Sequence, residues 1–239
     1  NPDAVEELMQ KYQNHVPAII VEPLSANMGV VLPEKGFLEF LREITVRYDT
    51  LLIFDEVITG FRLGYGGAQE YFHVTTDLTT LGKIVGGGMP MAAYGGRADI
   101  MDQVSPVGSV YQAGTLSGNP IATTAGIVTL DILKAHPEYY GELERKTKRL
   151  AAAFEERSKK TGEAIWVNQI GSLLSAFFAP GPVRDYDSAA NSDTKAYGEY
   201  FGRMLEQGIY VAPSQFEAMF VSVAHTDEEI EETCRAICG

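Results

Sequence analysis

Leu51-Leu52-Ile53-Phe54-Asp55-Glu56 is the stretch that decides the fold. Four apolar residues without polar alternation, closed by two carboxylates, have the length of a strand. They suit a parallel strand covered on both faces. Upstream, Phe37, Leu38, Leu41, Ile44 and Tyr48 keep helical spacing, and Pro17 to Val21 reads as a short buried strand ending at Glu22-Pro23. Strand, helix, strand is the unit of an α/β fold with a mainly parallel sheet and a right-handed crossover.

Working outward, Val5, Leu8, Met9 and Tyr12 place a helix between Asn1 and His15. Asn1-Pro2-Asp3 is its entry: a capping side chain, proline at the first helical position, then an acid facing the positive helix end. The chain starts without Met and without a leader pattern, so it is expected to be a piece of something longer. Gly60 to Gly96 is rich in glycine and reads as a functional loop region. Asn119-Pro120 repeats the entry signal and opens a long apolar helix through Leu133, and a charged helix runs from about Pro137 to Lys160. Ala164–Val167, Leu173–Phe178 and Met219–Ala224 read as strands, Pro180–Asn191 as a loop, and Asp193–Gln207 as a helix stopped by Gly208. Thr226 with Glu229 forms a capping box ahead of the last helix. These readings divide the chain into 1–135, part of a large domain, and 136–239, a smaller α+β C-terminal domain.

Composition excludes several classes. Lys and Arg total 19 against 32 Asp and Glu, a net charge of -13, which repels nucleic acid and anionic membranes. The apolar runs are strand-sized and far short of a membrane span. Cys234 and Cys238 share one helical face, but no His or further Cys stands nearby to complete a metal site, and helical spacing is poor for a disulfide. Ordinary packing is expected of both, and sparse cysteine suits a reducing compartment.

Three elements carry chemistry. Asp55 follows a buried strand, where open α/β sheets bind ligands; taken alone it reads more readily as a cap of the next turn, and its partner 28 residues on reverses that. Lys83, in Leu78-Thr79-Thr80-Leu81-Gly82-Lys83-Ile84-Val85-Gly86-Gly87-Gly88, is a single cation among apolar and small neighbours that give it little reason to be exposed. A desolvated lysine amine is nucleophilic, an aldehyde is its natural electrophile, and glycines let backbone approach a planar group. A carboxylate such as Asp55 would keep a pyridine nitrogen protonated, so that the ring accepts electrons. Tyr111-Gln112-Ala113-Gly114-Thr115-Leu116-Ser117-Gly118-Asn119-Pro120 offers amides, hydroxyls and a helix start to a phosphate, or is simply a capped loop.

Leu51–Arg62 and Thr79–Gly88 together resemble the class III aminotransferases, fold-type I pyridoxal-phosphate enzymes. Gly66-Gly67-Ala68-Gln69, Ala93-Tyr94-Gly95-Gly96-Arg97, the Tyr111–Pro120 segment and Ala212-Pro213-Ser214-Gln215-Phe216-Glu217-Ala218 are similar to an aminomutase branch of that group, and the resemblance covers essentially the whole chain. It implies pyridoxal 5'-phosphate as cofactor, with a pyridoxamine phosphate form in the cycle, and Lys83 as the Schiff-base lysine and proton carrier. It implies Asp55 at the ring nitrogen, Asn27 near the phenolic oxygen, and Gly114 with Thr115 at the phosphate of a neighbouring subunit's cofactor. A homodimer with shared sites follows. Tyr111 and Glu217 would face the substrate. Glu217 stands where related aminotransferases hold an arginine for an α-carboxylate, so the substrate lacks one beside its reacting carbon. The implied reaction is the intramolecular conversion of glutamate semialdehyde to 5-aminolevulinate for tetrapyrrole synthesis, in a bacterial cytoplasm or a plastid stroma. The rivals are an ω- or β-amino acid aminotransferase and a non-catalytic assembly component. The family's N-terminal elements, which supply a phosphate cup, a ring-stacking aromatic, a carboxylate-binding arginine and a gating loop, have no counterpart in these residues. Met89-Pro90-Met91-Ala92-Ala93 also departs from the family's smaller residues, a modest change in volume.

Overall fold

Local signals set the first elements. The Asn1 side chain accepts from the Ala4 amide and Pro2 opens α1 (Pro2–Lys11). β1 (Ala18–Val21), α2 (Phe37–Arg47) and β2 (Leu51–Glu56) follow in a computed structural model that describes all 239 residues. Leu38 and Leu41 of α2 pack on Leu52 and Phe54 of β2 and on Val74, a core fixed by the helical period meeting the strand period.

The glycine-rich stretch is more ordered than its composition suggests. It holds α3 (Gly67–Phe72), β3 (Leu78–Leu81), a 3-10 turn (Lys83–Gly86) and β4 (Ala93–Gly96). The sheet order is β1-β2-β3-β4, with the first two pairings parallel and β3–β4 antiparallel. Leu78-Thr79-Thr80-Leu81 is a strand because both of its edges are paired, not because its own sequence insists on it. α4 (Ala98–Met101) and α5 (Pro120–Ala135) complete this unit, formed by Asn1–Pro23 and Glu34–Pro137.

The expectation of sheet strands covered on both faces is corrected. In β2 only Leu52, Phe54 and Glu56 are buried, and Leu51, Ile53 and Asp55 on the other face are half-buried. Ile20 of the edge strand β1 is 63% exposed, since no element of this chain lies over it.

The second unit comprises Leu24–Pro33 and Glu138–Gly239. Its elements are α6 (Glu138–Thr161), β5 (Trp166–Ile170), β6 (Leu173–Phe177), α7 (Tyr186–Ala190), α8 (Thr194–Glu206), β7 (Met219–Phe220) and α9 (Asp227–Cys238). Leu150 and Phe154 of α6, Leu174 of β6, Tyr200 and Met204 of α8 and Ile230 and Ile237 of α9 form its main core. Cys234 and Cys238 pack against that core, and burial pushes both thiols up.

A single cut between residues 135 and 136 therefore misses one exchange. Leu24–Pro33 belongs with the C-terminal residues, because the Val30 amide donates to Ser175 Oγ at 2.9 Å and Asn168 Nδ2 donates to the Val30 carbonyl at 2.8 Å. The segment read as the loop Pro180–Asn191 contains α7, nucleated by a reciprocal Asp185–Ser188 cap. The strand expected over Met219–Ala224 stops at Phe220. Beyond it, His225 Nδ1 takes the Ser222 amide and Ser222 Oγ takes the Ala224 amide, which diverts backbone from the ladder.

Candidate active site

Asp55 and Lys83 stand at the carboxyl ends of neighbouring parallel strands. Asp55 is next to last in β2, and its register partner in β3 is Thr80. Lys83 comes directly after β3, with only Gly82 between them. The right-handed twist and parallel pairing bring two distant sequence positions to one sheet edge, the usual place for ligands in such sheets.

Asp55 Oδ1 accepts from the Val57 amide at 3.0 Å and from Thr80 Oγ1 at 3.3 Å. Both donors use the same oxygen, which leaves Oδ2 for a further donor. A protonated aromatic nitrogen is a group of the right kind for that position. Thr80 is a supporting residue that sequence reasoning passed over. Its signal was the quoted Thr79-Thr80 pair, which has no reason to be polar in a strand between Leu78 and Leu81 unless a partner awaits it.

Lys83 is exposed, contrary to the sheltered position expected from its neighbours. Burial falls instead on Gly82, Val85 and Gly86, so the apolar and small residues pack beneath the turn and push the long side chain outward. Its backbone is left-handed, with φ 48°. For a residue with a Cβ that conformation costs about 1–3 kcal/mol and persists where the surroundings impose it, often at functional sites.

Glu56 faces the opposite side of β2 and is 1% exposed. Its carboxylate accepts from Thr59 Oγ1 at 3.0 Å and from the amides of Ala68 at 2.5 Å and Gln69 at 3.3 Å. Gln69 Nε2 also donates to Thr79 Oγ1 at 2.8 Å. The Gly66–Gln69 motif thus anchors the loop after β2 to the strands that carry Asp55 and Lys83.

Tyr111, Gly114 and Thr115 lie in an exposed loop that leads into α5, with Tyr111 83% exposed. The Ser117 amide closes a turn on the Gly114 carbonyl at 2.9 Å, and Asn119 Oδ1 caps the Ile121 and Ala122 amides. In the second unit, the Asn27 turn and the Glu217 loop are joined by the Gly29 amide donating to the Phe216 carbonyl at 2.7 Å. Gln215 holds that loop on β6: its Oε1 accepts from the Phe178 amide and its Nε2 donates to the Ala176 carbonyl. Tyr197 donates to the Ala212 carbonyl at 2.6 Å, and burial together with the Glu217 charge pushes its phenol up to about 12. Asn27 and Glu217 are both exposed.

The chain matches the family Aminotransferase class-III over residues 2–238. It belongs to the class-III aminotransferases. It is 56% identical over 234 residues to a glutamate-1-semialdehyde 2,1-aminomutase of Desulforudis audaxviator, which aligns over 98% of this chain and 54% of that relative. Identity to the same-named protein of Pelotomaculum thermopropionicum is 57% over 232 residues, covering 97% of this chain and 53% of the relative. Among solved structures, an omega-transaminase from Sphaerobacter thermophilus superposes with a TM-score of 0.92 at 31% identity, over 100% of this chain and 54% of its own. The class-III chain therefore has the α/β architecture of fold-type I. It spans about half the length of the curated relatives that it matches.

Proposed function

We propose that a protein of the relatives' full length carrying this chain converts glutamate-1-semialdehyde to 5-aminolevulinate by moving an amino group between adjacent carbons. The observation that carries this reading is the placement at the sheet edge: an exposed Lys83 directly after β3, and an Asp55 carboxylate near the end of the neighbouring β2 with Oδ2 left open. Relatives named aminomutase at 56% and 57% identity support the choice of substrate over the ω- or β-amino acid aminotransferase. Glu217 supports it too, because an acid there repels the α-carboxylate that such aminotransferases bind.

The cofactor of this reading is pyridoxal 5'-phosphate, alternating with its pyridoxamine form. When bound, it supplies an aldehyde that takes up amines and a ring that accepts electrons from the carbon losing a proton. Asp55 would hold the proton of the ring nitrogen, with its carboxylate fixed by the Val57 amide and Thr80 Oγ1 on Oδ1. Lys83 would be the residue that holds the cofactor's aldehyde, and its amine would carry protons between neighbouring carbons of the substrate, because its tether keeps it near both. Asn27 orients the phenolic oxygen, and Tyr111 and Glu217 bound the substrate.

Gly114 and Thr115 bind the phosphate of the neighbouring subunit's cofactor in a homodimer. Exposed Ile121, Ile127, Val128 and Ile132 on α5 support such an assembly, since an apolar helix face of this size is normally covered. No helix is long and apolar enough to cross a membrane, and the bacterial relatives favour the cytoplasm.

Borohydride reduction of the loaded full-length protein tests the reading. The cofactor's mass is expected on one peptide, at Lys83. Fixation at any other lysine refutes it.

A further inference from the structure

No hydrogen bond or ion pair holds the exposed Lys83 side chain, so the point and direction in which it leaves the sheet edge are set by backbone. The turn that carries it is seated on α5 by two contacts that only glycine permits. A Cβ on Gly126, in the middle of α5, would lie 2.3 Å from the Val85 carbonyl oxygen. A Cβ on Gly87, where the turn ends with φ 55°, would lie 2.4 Å from the Ala125 carbonyl oxygen and 2.5 Å from Thr129 Oγ1. Helix backbone and turn backbone therefore touch directly, at both ends of the Val85–Gly87 segment. The turn is closed internally by the Val85 amide on the Gly82 carbonyl at 3.2 Å and the Gly87 amide on the Ile84 carbonyl at 2.9 Å. With those bonds made, a shift of the seat moves the whole turn, including the left-handed Lys83 at its start.

We infer that Gly126 and Gly87 are positioning residues for Lys83: their side-chain-free contacts between α5 and the lysine turn set where the amine leaves the sheet edge. The inference rests on Lys83 being the Schiff-base lysine of the reading above. Added bulk at Gly126 meets a carbonyl oxygen, not a flexible side chain, so the seat between helix and turn has to shift. A displacement of the order of 1 Å at a reacting group costs about a hundredfold in rate.

The test uses the loaded full-length protein with Gly126→Ala, and Gly141→Ala as a control in α6, where a Cβ meets nothing within 4 Å. Three quantities are read: the visible circular dichroism of bound cofactor, the rate of borohydride fixation at Lys83, and kcat against KM. Gly126→Ala is expected to lower the fixation rate and kcat by about 10- to 100-fold, with KM within about twofold and an altered visible band. Gly141→Ala is expected to match the parent. Thr129→Ala removes bulk at the same seat without a clash, so it folds even if Gly126→Ala does not. It is expected to change the band and the fixation rate in the same direction, by a smaller factor. Parent-like bands and rates in the folded variants overturn the inference, whatever happens to melting temperature. Fixation of the parent at a lysine other than Lys83 overturns the lysine reading, and the inference with it.

Discussion

Asp77, at the amino end of β3, bonds to three separate elements, and replacing it with asparagine should loosen the first unit. Its carboxylate accepts from the Leu52 amide at 2.7 Å, from Arg42 Nη1 at 2.9 Å and from Arg97 Nη1 at 3.0 Å. The Asp77 side chain is only 7% exposed, whereas Arg42 and Arg97 are 25% and 52% exposed. An asparagine keeps the shape but turns one acceptor into a donor, which leaves a buried donor unpaired at a cost of about 1–3 kcal/mol. The guanidiniums can recover solvent, so each lost ion pair adds only about 0–1 kcal/mol. The expected total for Asp77→Asn is about 1–5 kcal/mol, a fall in melting temperature of roughly 2–20 °C. The pH dependence has a definite sign. Burial pushes the carboxyl up, but the Leu52 amide and the two guanidiniums outweigh it and hold it below the usual carboxylate range. The folded state therefore binds a proton less readily than the unfolded chain, whose value is about 3.9. The gap between parent and variant should be full above that pH and should close as pH falls through the lower folded value. Thermal melts of both proteins from neutral to acidic pH measure it, with hydrogen exchange at Leu52 as a local probe. A variant melting with the parent at neutral pH, or a gap indifferent to acid, would show that the carboxylate is not the tie described.

Two further outcomes are expected. Gly29→Ala should destabilise the second unit by about 2–4 kcal/mol, from left-handed strain plus overpacking. Gly29 has φ +78°, and a Cβ there would lie 2.5 Å from Cζ of the fully buried Phe177. The urea midpoint reads the change, and one within error of the parent would contradict the packing account. Glu217→Arg should fold normally, since Glu217 is exposed, yet exchange repulsion for attraction toward an α-carboxylate. In a full-length protein with the proposed function, it should raise kcat/KM for α-amino acid donors by roughly tenfold or more while lowering 5-aminolevulinate formation. Unchanged preference would remove Glu217 from the substrate's surroundings.

What the sequence disclosed and what it hid follow one physical division. Most elements that stabilise themselves locally were legible: the caps at Asn1, Asn119 and Thr226 and the helical period of α2 are written in adjacent residues, although the equally local Asp185–Ser188 cap of α7 was passed over. Elements that exist through distant pairing were not. β3 and β4 gain their hydrogen bonds from each other and from β2, so Leu78–Leu81 and Ala93–Gly96 were indistinguishable from loop until the sheet was assembled. The same division runs through the candidate site. Asp55 and Lys83 stood out because a carboxylate after an apolar strand and a lysine among glycines are locally odd. Thr80, the seat at Gly126 and the Gly29–Phe216 bond were hidden, because each matters only through a residue far away in sequence. At the candidate site the local reading that failed, a sheltered Lys83, failed for the same reason. Apolar neighbours in sequence mean burial only if the chain folds over them, and here the turn packs its small residues downward onto α5 and lifts the lysine out.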